Sequence, residues 1–298
     1  MKYPIKTITL GDSEYSKMLG QISDPPKQLY YRGNISLLNT FTIGIVGTRK
    51  LSDYGRSVTI ECATALARAG VTVASGLASG IDSIAHQATL DVNGSTIAVF
   101  GTGVDDESVF PSDNIRLVYN ILDGDGLVIS EYEAGTHGQK FTFPARNRII
   151  SGLSHGVLIV EADRKSGSLI TARCALDQNR DVFAVPGSIY WPRSVGANWL
   201  IQEGAKLVLS PSDILDVYGK DQELADATGA PLSTGDPVRT AILELLNKQG
   251  PTHIDKIAAY MAESDAAARV LSAIALLELD GTVVHQGSGV YYIASRHV

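Results

Sequence analysis

Residues 42–75 read TIGIVGTRKLSDYGRSVTIECATALARAGVTVAS, in which two short apolar runs flank a segment of helical periodicity. The runs Thr42–Gly47 and Val71–Ser75 have the composition of strands that are covered on both faces of a sheet. Between them, Tyr54–Gly70 repeats apolar residues at helical spacing. A strand, a helix and a second strand in this order predict a parallel sheet with helices packed on its faces.

The same alternation continues to residue 209. Further strands are predicted at Thr96–Gly101, Leu127–Ser130, Val157–Ala162, Val182–Val185 and Lys206–Leu209. Further helices are predicted at Ile81–Val92, Asn114–Leu122, Ala145–Leu153, Ser168–Gln178 and Ala197–Gln202. The predicted fold class is therefore α/β, with a doubly wound and mostly parallel sheet over residues 42–217.

The segments on either side of this domain have different patterns. Residues 1–41 carry turn-forming residues without strong periodicity, and we expect an N-terminal extension packed on the core. Residues 218–235 are polar and rich in small residues, as is typical of a linker. Residues 236–298 show three helical patterns and then two short strands, which predicts a small winged-helix-like domain. Its five basic and seven acidic residues favour protein contact or packing over DNA reading.

The composition is that of an ordinary globular protein of 298 residues with a formal net charge of −7. No apolar run approaches the roughly 18 residues of a membrane helix, and no signal-peptide pattern opens the chain. Cys62 and Cys174 lie in unrelated segments, which argues against a disulfide framework. We therefore expect a cytoplasmic protein without a membrane partner. The negative charge also requires that any nucleic-acid site be a local basic pocket.

Two glycine-rich loops follow the first two predicted strands. The first contains Gly47 and Arg49, and it presents backbone N–H groups and a cation to an anion. The second passes through Gly76, Ser79 and Gly80 into a helix, and would widen the same anion site. Neither loop has the glycine spacing of a dinucleotide fingerprint or the lysine pattern of a P-loop. No NAD, ATP or other cofactor is therefore expected.

The segment KFTFPARNR, at residues 140–148, brackets two aromatic residues with cations. Cations beside a ring that can stack on a base are what single-stranded nucleic acid requires. The candidate residues are Lys140, Phe143, Arg146, Asn147 and Arg148. The alternative is that the phenylalanines belong to the core and the arginines are ordinary surface residues. The segment by itself does not decide between the two.

A third loop, Ser166–Ser168, precedes a helix whose free N–H groups could hold another phosphate, so Gly167 and Ser168 are further candidates. A polar loop also follows the strand that ends near Val185. All these loops leave strands and should meet at the carboxyl edge of a parallel sheet, where α/β proteins bind ligands. Seven cations could then gather near that edge, namely Arg49, Lys140, Arg146, Arg148, Arg164, Lys165 and Arg173.

The sequence contains no catalytic triad at recognisable spacing, no HExxH motif, no nucleophile elbow and no cluster of metal ligands. Glu131, Glu161 and Asp163 could pair as acid and base, but the neighbouring basic residues favour ion pairs for them. Asp82 is interpreted as a charge at a helix N-terminus and His86 as a structural residue. No catalytic residue and no metal site are predicted.

These segments resemble the motifs of the bacterial DNA-processing protein family called DprA or Smf. The matching pieces, in order over residues 20–210, are DPPKQLYYRGN (24–34), GIVGTRKLSDYG (44–55), SGLASGIDSIAH (75–86), TIAVFGTGVD (96–105), FPARNRIISGLS (143–154), VEADRKSGSLITARCA (160–175), and FAVPG with GANWLI (183–201). Three positions depart from the usual pattern. Ser79 replaces an arginine of the second loop, GTR at 47–49 replaces GSR, and GAN at 196–198 replaces GTN.

The resemblance implies an extended Rossmann-like domain that binds single-stranded DNA and forms homodimers. It implies a protein that protects incoming strands and loads the RecA recombinase onto them in natural transformation and recombination, and that is not an enzyme. The single-strand-binding protein is a further candidate partner. Carried over by motif, the DNA site comprises Arg49, Gly76, Ser79, Gly80, Lys140, Phe143, Arg146, Asn147, Arg148, Gly167 and Ser168.

Two other interpretations remain open at this point. The phosphate loops would also suit a nucleotide-processing enzyme of a related fold, such as a phosphoribohydrolase, with Glu131 or Glu161 as the acid; its PGGxGTxxE loop is not present in this sequence. Alternatively, the protein is mainly an adaptor whose acidic C-terminal domain docks a partner.

Overall fold

The computed structural model describes residues 2–220, 236–261, 267–279, 282–285 and 289–293. The chain divides into two compact units, Met1–Leu224 and Ala225–Val298. The predicted linker at 218–235 lies outside the described residues from position 221 onward. Within the described ranges, no helix has both the length and the apolar character needed to cross a bilayer.

The first unit is built on one sheet of nine strands. In chain order they are β1 (Lys6–Thr9), β2 (Gln28–Gly33), β3 (Thr42–Val46), β4 (Thr72–Ser75), β5 (Thr96–Phe100), β6 (Leu127–Ser130), β7 (Gly156–Ile159), β8 (Asp181–Ala184) and β9 (Lys206–Leu207). Their spatial order is β1-β2-β6-β5-β4-β3-β7-β8-β9. Strands β3 to β9 pair in parallel, and β1 and β2 extend the sheet antiparallel beyond β6. The sheet is therefore mostly parallel, as predicted.

The chain winds outward in two directions from β3. It passes through β4, β5 and β6 on one side, and then returns to place β7, β8 and β9 on the other side. The order of strands thus reverses between β3 and β7. In doubly wound folds, ligands bind at such a reversal, outside the carboxyl ends of the strands.

Helices cover both faces of the sheet. They are α1 (Asp53–Arg68), α2 (Ile81–Asp91), α3 (Ile115–Asp123), α4 (Thr142–Leu153), α5 (Ser168–Asp177), α6 (Val195–Gln202) and α7 (Ser212–Asp216). Alternate residues of β3 point to opposite sides: Ile43 and Ile45 pack with α1 and α2, whereas Val46 packs with α4 and α5. Both faces are therefore apolar, which is why the central strands have no polar alternation.

The N-terminal extension supplies two strands of the sheet, which the sequence analysis did not assign. Strand β2 pairs with β6, placing Tyr31 opposite Ile129, and β1 pairs with β2. The strand pattern of β2 is interrupted by Arg32, whose side chain is fully buried. Its guanidinium donates to Asp106 Oδ1 at 2.7 Å and to the Val104 carbonyl at 3.1 Å. A buried charge of this kind is rare, so hydrophobic periodicity does not predict the strand that carries it.

The second unit contains three helices, α8 (Pro237–Gln249), α9 (Ile254–Met261) and α10 (Ala267–Leu279), and a small antiparallel sheet, all within its described residues. Its strands are β10 (Thr252–His253), β11 (Val283–His285) and β12 (Val290–Ile293), in the order β10-β12-β11. The two last strands follow the three helices as the sequence predicted, whereas β10 is an addition. The winged-helix assignment of this unit stays a prediction.

Candidate functional site

A cleft of about 530 Å³ opens at the carboxyl ends of β3, β4 and β7. Five segments line it: the loop after β3, the stretch from Ala78 into α2, the loop that carries Phe110, the stretch from Gly138 into α4, and the stretch from Ser166 into α5. Seven of the predicted site residues lie on its wall, namely Arg49, Lys140, Phe143, Arg146, Asn147, Gly167 and Ser168. The cleft is thus at the strand reversal where the topology predicts a ligand site.

The loop after β3 is held in place by Glu161 at the end of β7. Its carboxylate is buried and accepts hydrogen bonds from the Ser52 N–H at 2.9 Å and the Ser52 hydroxyl at 2.6 Å. The Thr48 N–H donates to the Glu161 carbonyl at 2.8 Å. Ser52 in turn caps α1 by accepting from the Gly55 N–H at 3.1 Å. With the loop fixed at both ends, Arg49 is left exposed on the wall of the cleft.

The loop after β4 requires glycine at two positions. A Cβ atom on Gly76 would overlap the guanidinium of Arg146. Gly80 has φ of 92°, and a Cβ atom there would overlap the Thr48 carbonyl oxygen. The two glycine-rich loops are therefore in direct contact. The sequence predicts that both loops belong to one anion site, and such a site requires this contact. Ser79 lines a smaller hollow of about 110 Å³ beside the cleft, together with Gly76.

Arg146 forms part of the floor of the cleft and is only 5% exposed. It donates to the Gly76 carbonyl at 2.6 Å and to the Val99 carbonyl, and so joins the ends of β4 and β5 to α4. Its Nε donates to Asn147 Oδ1, and the Asn147 amide donates to the Gly167 carbonyl, both at 3.2 Å. The sequence predicted direct DNA contacts for both residues. In the structure, these hydrogen bonds give them the additional role of joining α4 to the loop after β4, to β5 and to the loop before α5.

Two buried titratable side chains, Asp82 and His86, lie on α2. Burial raises the pKa of the Asp82 carboxyl to about 6, although Arg146 and Arg49 both favour its ionised form. Burial, with a smaller contribution from Arg146, lowers the pKa of His86 to about 3. Burial also lowers the pKa of the Arg146 guanidinium, to about 10, so Arg146 stays charged at neutral pH. The described lining then holds three cations, Arg49, Lys140 and Arg146, against the single carboxylate of Asp82.

The Phe143 ring contacts both a cation and a second aromatic ring. The Arg49 guanidinium carbon is 5.8 Å from its centroid, and the Phe110 centroid is 5.3 Å away with a tilt of 45°. Phe110 is 53% exposed and lines the cleft. Phe110 was not predicted from the sequence, since it stands in an irregular loop without periodicity. The signal that the sequence offers for Phe110 is an aromatic residue in a loop near a strand end.

The loop before α5 closes the opposite wall. The helix starts at Ser168, directly after Gly167, so the N-terminal end of α5 faces the cleft. The hydroxyls of Ser166 and Ser168 lie 2.7 Å apart. Lys140 is exposed on the rim, in the segment that leads into α4. This wall thus supplies a helix dipole and hydroxyl groups, and the rim supplies an exposed cation, which together suit an anion.

Arg148 is not part of the cleft lining, in contrast to its predicted role. Its guanidinium forms two hydrogen bonds with the Glu131 carboxylate, at 2.8 and 3.0 Å, and a third with Asp24 at 3.0 Å. Burial opposes the charge, but these carboxylates outweigh it and raise the pKa of Arg148 above its usual value. The reason for the difference is helical geometry, because Arg148 lies on another face of α4 from Arg146. The other predicted cations, Arg164, Lys165 and Arg173, also lie outside the lining.

The acids considered for catalysis have structural partners. Glu131 is bound by Arg148, and Glu161 by Ser52. The Asp163 carboxylate accepts from the Lys165 N–H at 2.7 Å within its own turn. None of these three belongs to the lining of the cleft, in which Asp82 is the only carboxylate among the residues that the structure describes. The described lining of the cleft therefore combines three cations, one carboxylate and two aromatic rings.

Residues 6–219 match the family model described as DNA recombination-mediator protein A. The chain belongs to this family. Members called DprA or Smf are similar to it: the chain is 46% identical to Protein Smf of Escherichia coli over 218 residues, and 46% identical to the DNA processing protein DprA of Streptococcus pneumoniae over 214 residues. These alignments cover 72% of this chain, and 58% and 74% of the respective relatives. The resemblance stated from the motifs is thus confirmed.

Solved structures of DprA have the same fold. The Streptococcus pneumoniae protein matches with a TM-score of 0.67 at 45% identity, covering 72% of this chain and 74% of that one. The Helicobacter pylori DprA, whose structure concerns its single-stranded DNA binding mode, matches with a TM-score of 0.65 at 32% identity, over 74% and 97% of the two chains. The extended, mostly parallel sheet is thus a DprA feature. The match spans little more than half the length of the Escherichia coli and Synechocystis Smf proteins.

Proposed function

We propose that the cleft binds single-stranded DNA. Arg49, Lys140 and the N-terminal end of α5 hold phosphates, and a base stacks on Phe143. The observation that carries the proposal is that the Phe143 ring lines the cleft in contact with the Arg49 cation and the exposed Phe110 ring. Stacking on an aromatic ring beside phosphate-binding cations is the common mode of single-strand recognition. The single-stranded DNA binding mode of the Helicobacter pylori DprA supports the same ligand for this chain.

Single strands are favoured over duplexes by the depth of the site. A base reaches Phe143 only if it has left its own stack, because the ring lines the cleft together with the buried Arg146 and Asn147. In a duplex, this requires unpairing and unstacking, which costs a few kcal/mol. The cleft has more cations than carboxylates and therefore attracts phosphates locally, although the net charge of the whole chain is −7.

The test is fluorescence anisotropy with a labelled oligothymidylate and a labelled hairpin duplex at several salt concentrations. We expect tighter binding of the single strand, an affinity that falls with salt, and about tenfold or greater losses in Arg49→Glu and Lys140→Glu. Arg68→Glu, an exposed charge reversal at the far end of α1, is the matched control and should keep its affinity. Full affinity in both cleft variants would exclude the proposed site.

We further propose that this protein acts as a homodimer that protects incoming strands and loads RecA onto them in natural transformation and recombination. Its membership of the recombination-mediator family supports this role. The measurement is RecA ATPase activity on DNA covered by single-strand-binding protein, with light scattering for the dimer and nuclease digestion for protection. The role is rejected if RecA activity on covered DNA does not rise when the protein is added.

The two acids considered for the enzymatic alternative both form structural hydrogen bonds: Glu131 accepts from Arg148, and Glu161 accepts from Ser52. We therefore infer a binding protein and not a phosphoribohydrolase. Incubation with nucleoside monophosphates, followed by chromatography, tests this inference. Release of free base that is lost in Glu161→Gln would restore the alternative.

A further inference from the structure

The loop between β8 and α6, residues 186–194, carries an exposed aromatic group that the cleft does not use. We call it the aromatic loop; its sequence is PGSIYWPRS. Ile189 is 78% exposed, Tyr190 87% and Trp191 49%. Single exposed apolar residues are common, but three in succession at the carboxyl edge of the sheet indicate a surface that binds a ligand.

The aromatic loop is firmly anchored, so the exposure of its rings is not the result of a loose segment. The Tyr54 hydroxyl donates to the Pro186 carbonyl at 2.8 Å, and the Tyr54 and Trp191 rings meet edge to face at 6.4 Å. The Gly187 backbone makes two hydrogen bonds with the Asn198 side-chain amide, at 3.1 and 2.9 Å. The backbone at Pro186 and Gly187 and the Trp191 ring are thus held in place, which lowers the loss of conformational freedom when a ligand binds.

The aromatic loop is directly connected to the loop that carries Arg49. The Arg193 Nε donates to the Lys50 carbonyl at 2.5 Å, and the Arg193 carbonyl accepts from the Ala162 N–H at 2.8 Å. Lys50 and Arg193 are both exposed. Two exposed cations, Lys50 and Arg193, therefore lie where the aromatic loop contacts the loop that carries Arg49, and Lys50 follows Arg49 directly in the chain.

We propose that the aromatic loop is a second stacking platform, over which the DNA strand continues when it leaves the cleft past Arg49 and Lys50. This inference rests on the proposed function. Cations next to exposed rings suit a phosphate backbone with unpaired bases. A protein interface would also suit aromatic residues and arginine, but lysine is depleted from such interfaces, so Lys50 favours the DNA strand. Tyr190 and Trp191 offer the rings, and Lys50 and Arg193 offer contacts to the intervening phosphates.

The first experiment compares oligothymidylates of about 5 and about 15 nucleotides, lengths within the range of single-strand binding sites. In the wild type, the dissociation constant per binding site should be at least tenfold lower for the longer strand than for the shorter one. In the double variant Tyr190→Ala with Trp191→Ala, affinity for the short strand should be unchanged and the gain with length largely lost. The single variant Tyr190→Phe, which keeps the ring, should behave as the wild type.

The second experiment uses intrinsic fluorescence. The chain has two tryptophans, Trp191 and Trp199, so Trp199→Phe leaves Trp191 as the only one. In that variant, the longer strand should quench the emission, because stacking on a base brings the indole into contact with it, and the short strand should not.

The outcomes separate this inference from the proposed function. If the wild type binds neither strand, the proposed function itself fails. If the wild type binds both but the double variant keeps the full gain with length, only the second platform is excluded. A change in molecular mass in the double variant, with unchanged affinity for both strands, overturns the platform and assigns the loop to a protein interface. A loss of affinity for the short strand also overturns it, since the loop would then act through the cleft.

Discussion

The guanidinium of Arg146 occupies the space where the Cβ atom of a larger residue at position 76 would lie, so Gly76 leaves room for it. We therefore expect Gly76→Ala to displace Arg146 from the Gly76 and Val99 carbonyls. The predicted loss is about 1–3 kcal/mol in the free energy of unfolding, typical of an overpacked core, together with weaker DNA binding. Urea denaturation measures the first and anisotropy the second.

Gly167→Ala is the matched control for this prediction. A Cβ atom on Gly167 has open space around it, so the free energy of unfolding should change by about 0.5 kcal/mol or less. Equal losses in the two alanine variants would mean that the contact between Gly76 and Arg146 is not what makes the first position sensitive.

Arg148 should matter for stability and not for DNA. In Arg148→Met the Glu131 carboxylate loses both of its hydrogen bonds, and we expect a loss of about 1–3 kcal/mol in the free energy of unfolding. DNA affinity should be that of the wild type, whereas Lys140→Gln should lower it severalfold. If Arg148→Met weakens DNA binding as much as Lys140→Gln, a cleft contact for Arg148 would have to be restored.

Asp82 should make DNA affinity depend on pH. Its pKa lies at about 6, above the ordinary value of 3.8, so the folded protein takes up this proton as the pH falls through 6. Proton uptake removes a negative charge from the cleft, and DNA affinity should rise severalfold between about pH 7.5 and about pH 5.5. His86, with a pKa of about 3, stays neutral over this range. Anisotropy at constant ionic strength should show a flatter profile in Asp82→Asn.

The raised pKa of Asp82 also predicts the direction in which stability changes with pH. Because the unfolded chain protonates Asp82 only near its ordinary value, protonation favours the folded state, and the contribution of this residue to stability increases as the pH falls from about 6 towards about 4. The unfolding free energy of Asp82→Asn minus that of the wild type should therefore fall on acidification, whichever of the two is more stable at neutral pH. A difference that grows would contradict the raised pKa.

Arg32 should anchor the N-terminal strands. Arg32→Met removes the hydrogen bonds to Asp106, Val104 and Tyr3, and we expect a loss of about 2–3 kcal/mol in the free energy of unfolding. Proteolysis within the N-terminal segment that ends with β2 should become faster. Lys2→Ala, which breaks an exposed ion pair with Asp123, should leave both measurements unchanged.

The sequence predicted the parallel part of the fold because its central strands are buried on both faces and form continuous apolar runs. Strand β6 was predicted with its observed bounds, Leu127–Ser130. Strands β1 and β2 were not, because a pattern that contains the buried Arg32 is not typical of a strand. Their pairing with β6 depends on contacts distant in the chain, which local periodicity does not contain.

The candidate site was predicted as a set of loops, because parallel strands bring their carboxyl ends to one edge. Motif spacing could not say which side chains face the cleft. Arg146 and Arg148 are two residues apart on α4, and only the tertiary structure shows that one joins the floor and the other pairs with Glu131. Phe110 reaches Phe143 from a loop distant in the chain, a relationship that no local pattern carries.

The hydrogen bonds of Arg146 and Asn147 join α4 to the strand ends of β4 and β5 and to the loop before α5. The floor of the cleft is thus continuous with the sheet, and it does not need to be assembled when a ligand arrives. If DNA is the ligand, as proposed, the entropic cost of association falls on the DNA strand, which must give up its freedom to match a surface already in place. Encounter should accordingly proceed at a rate set by diffusion and electrostatic attraction, without a slow rearrangement of the protein.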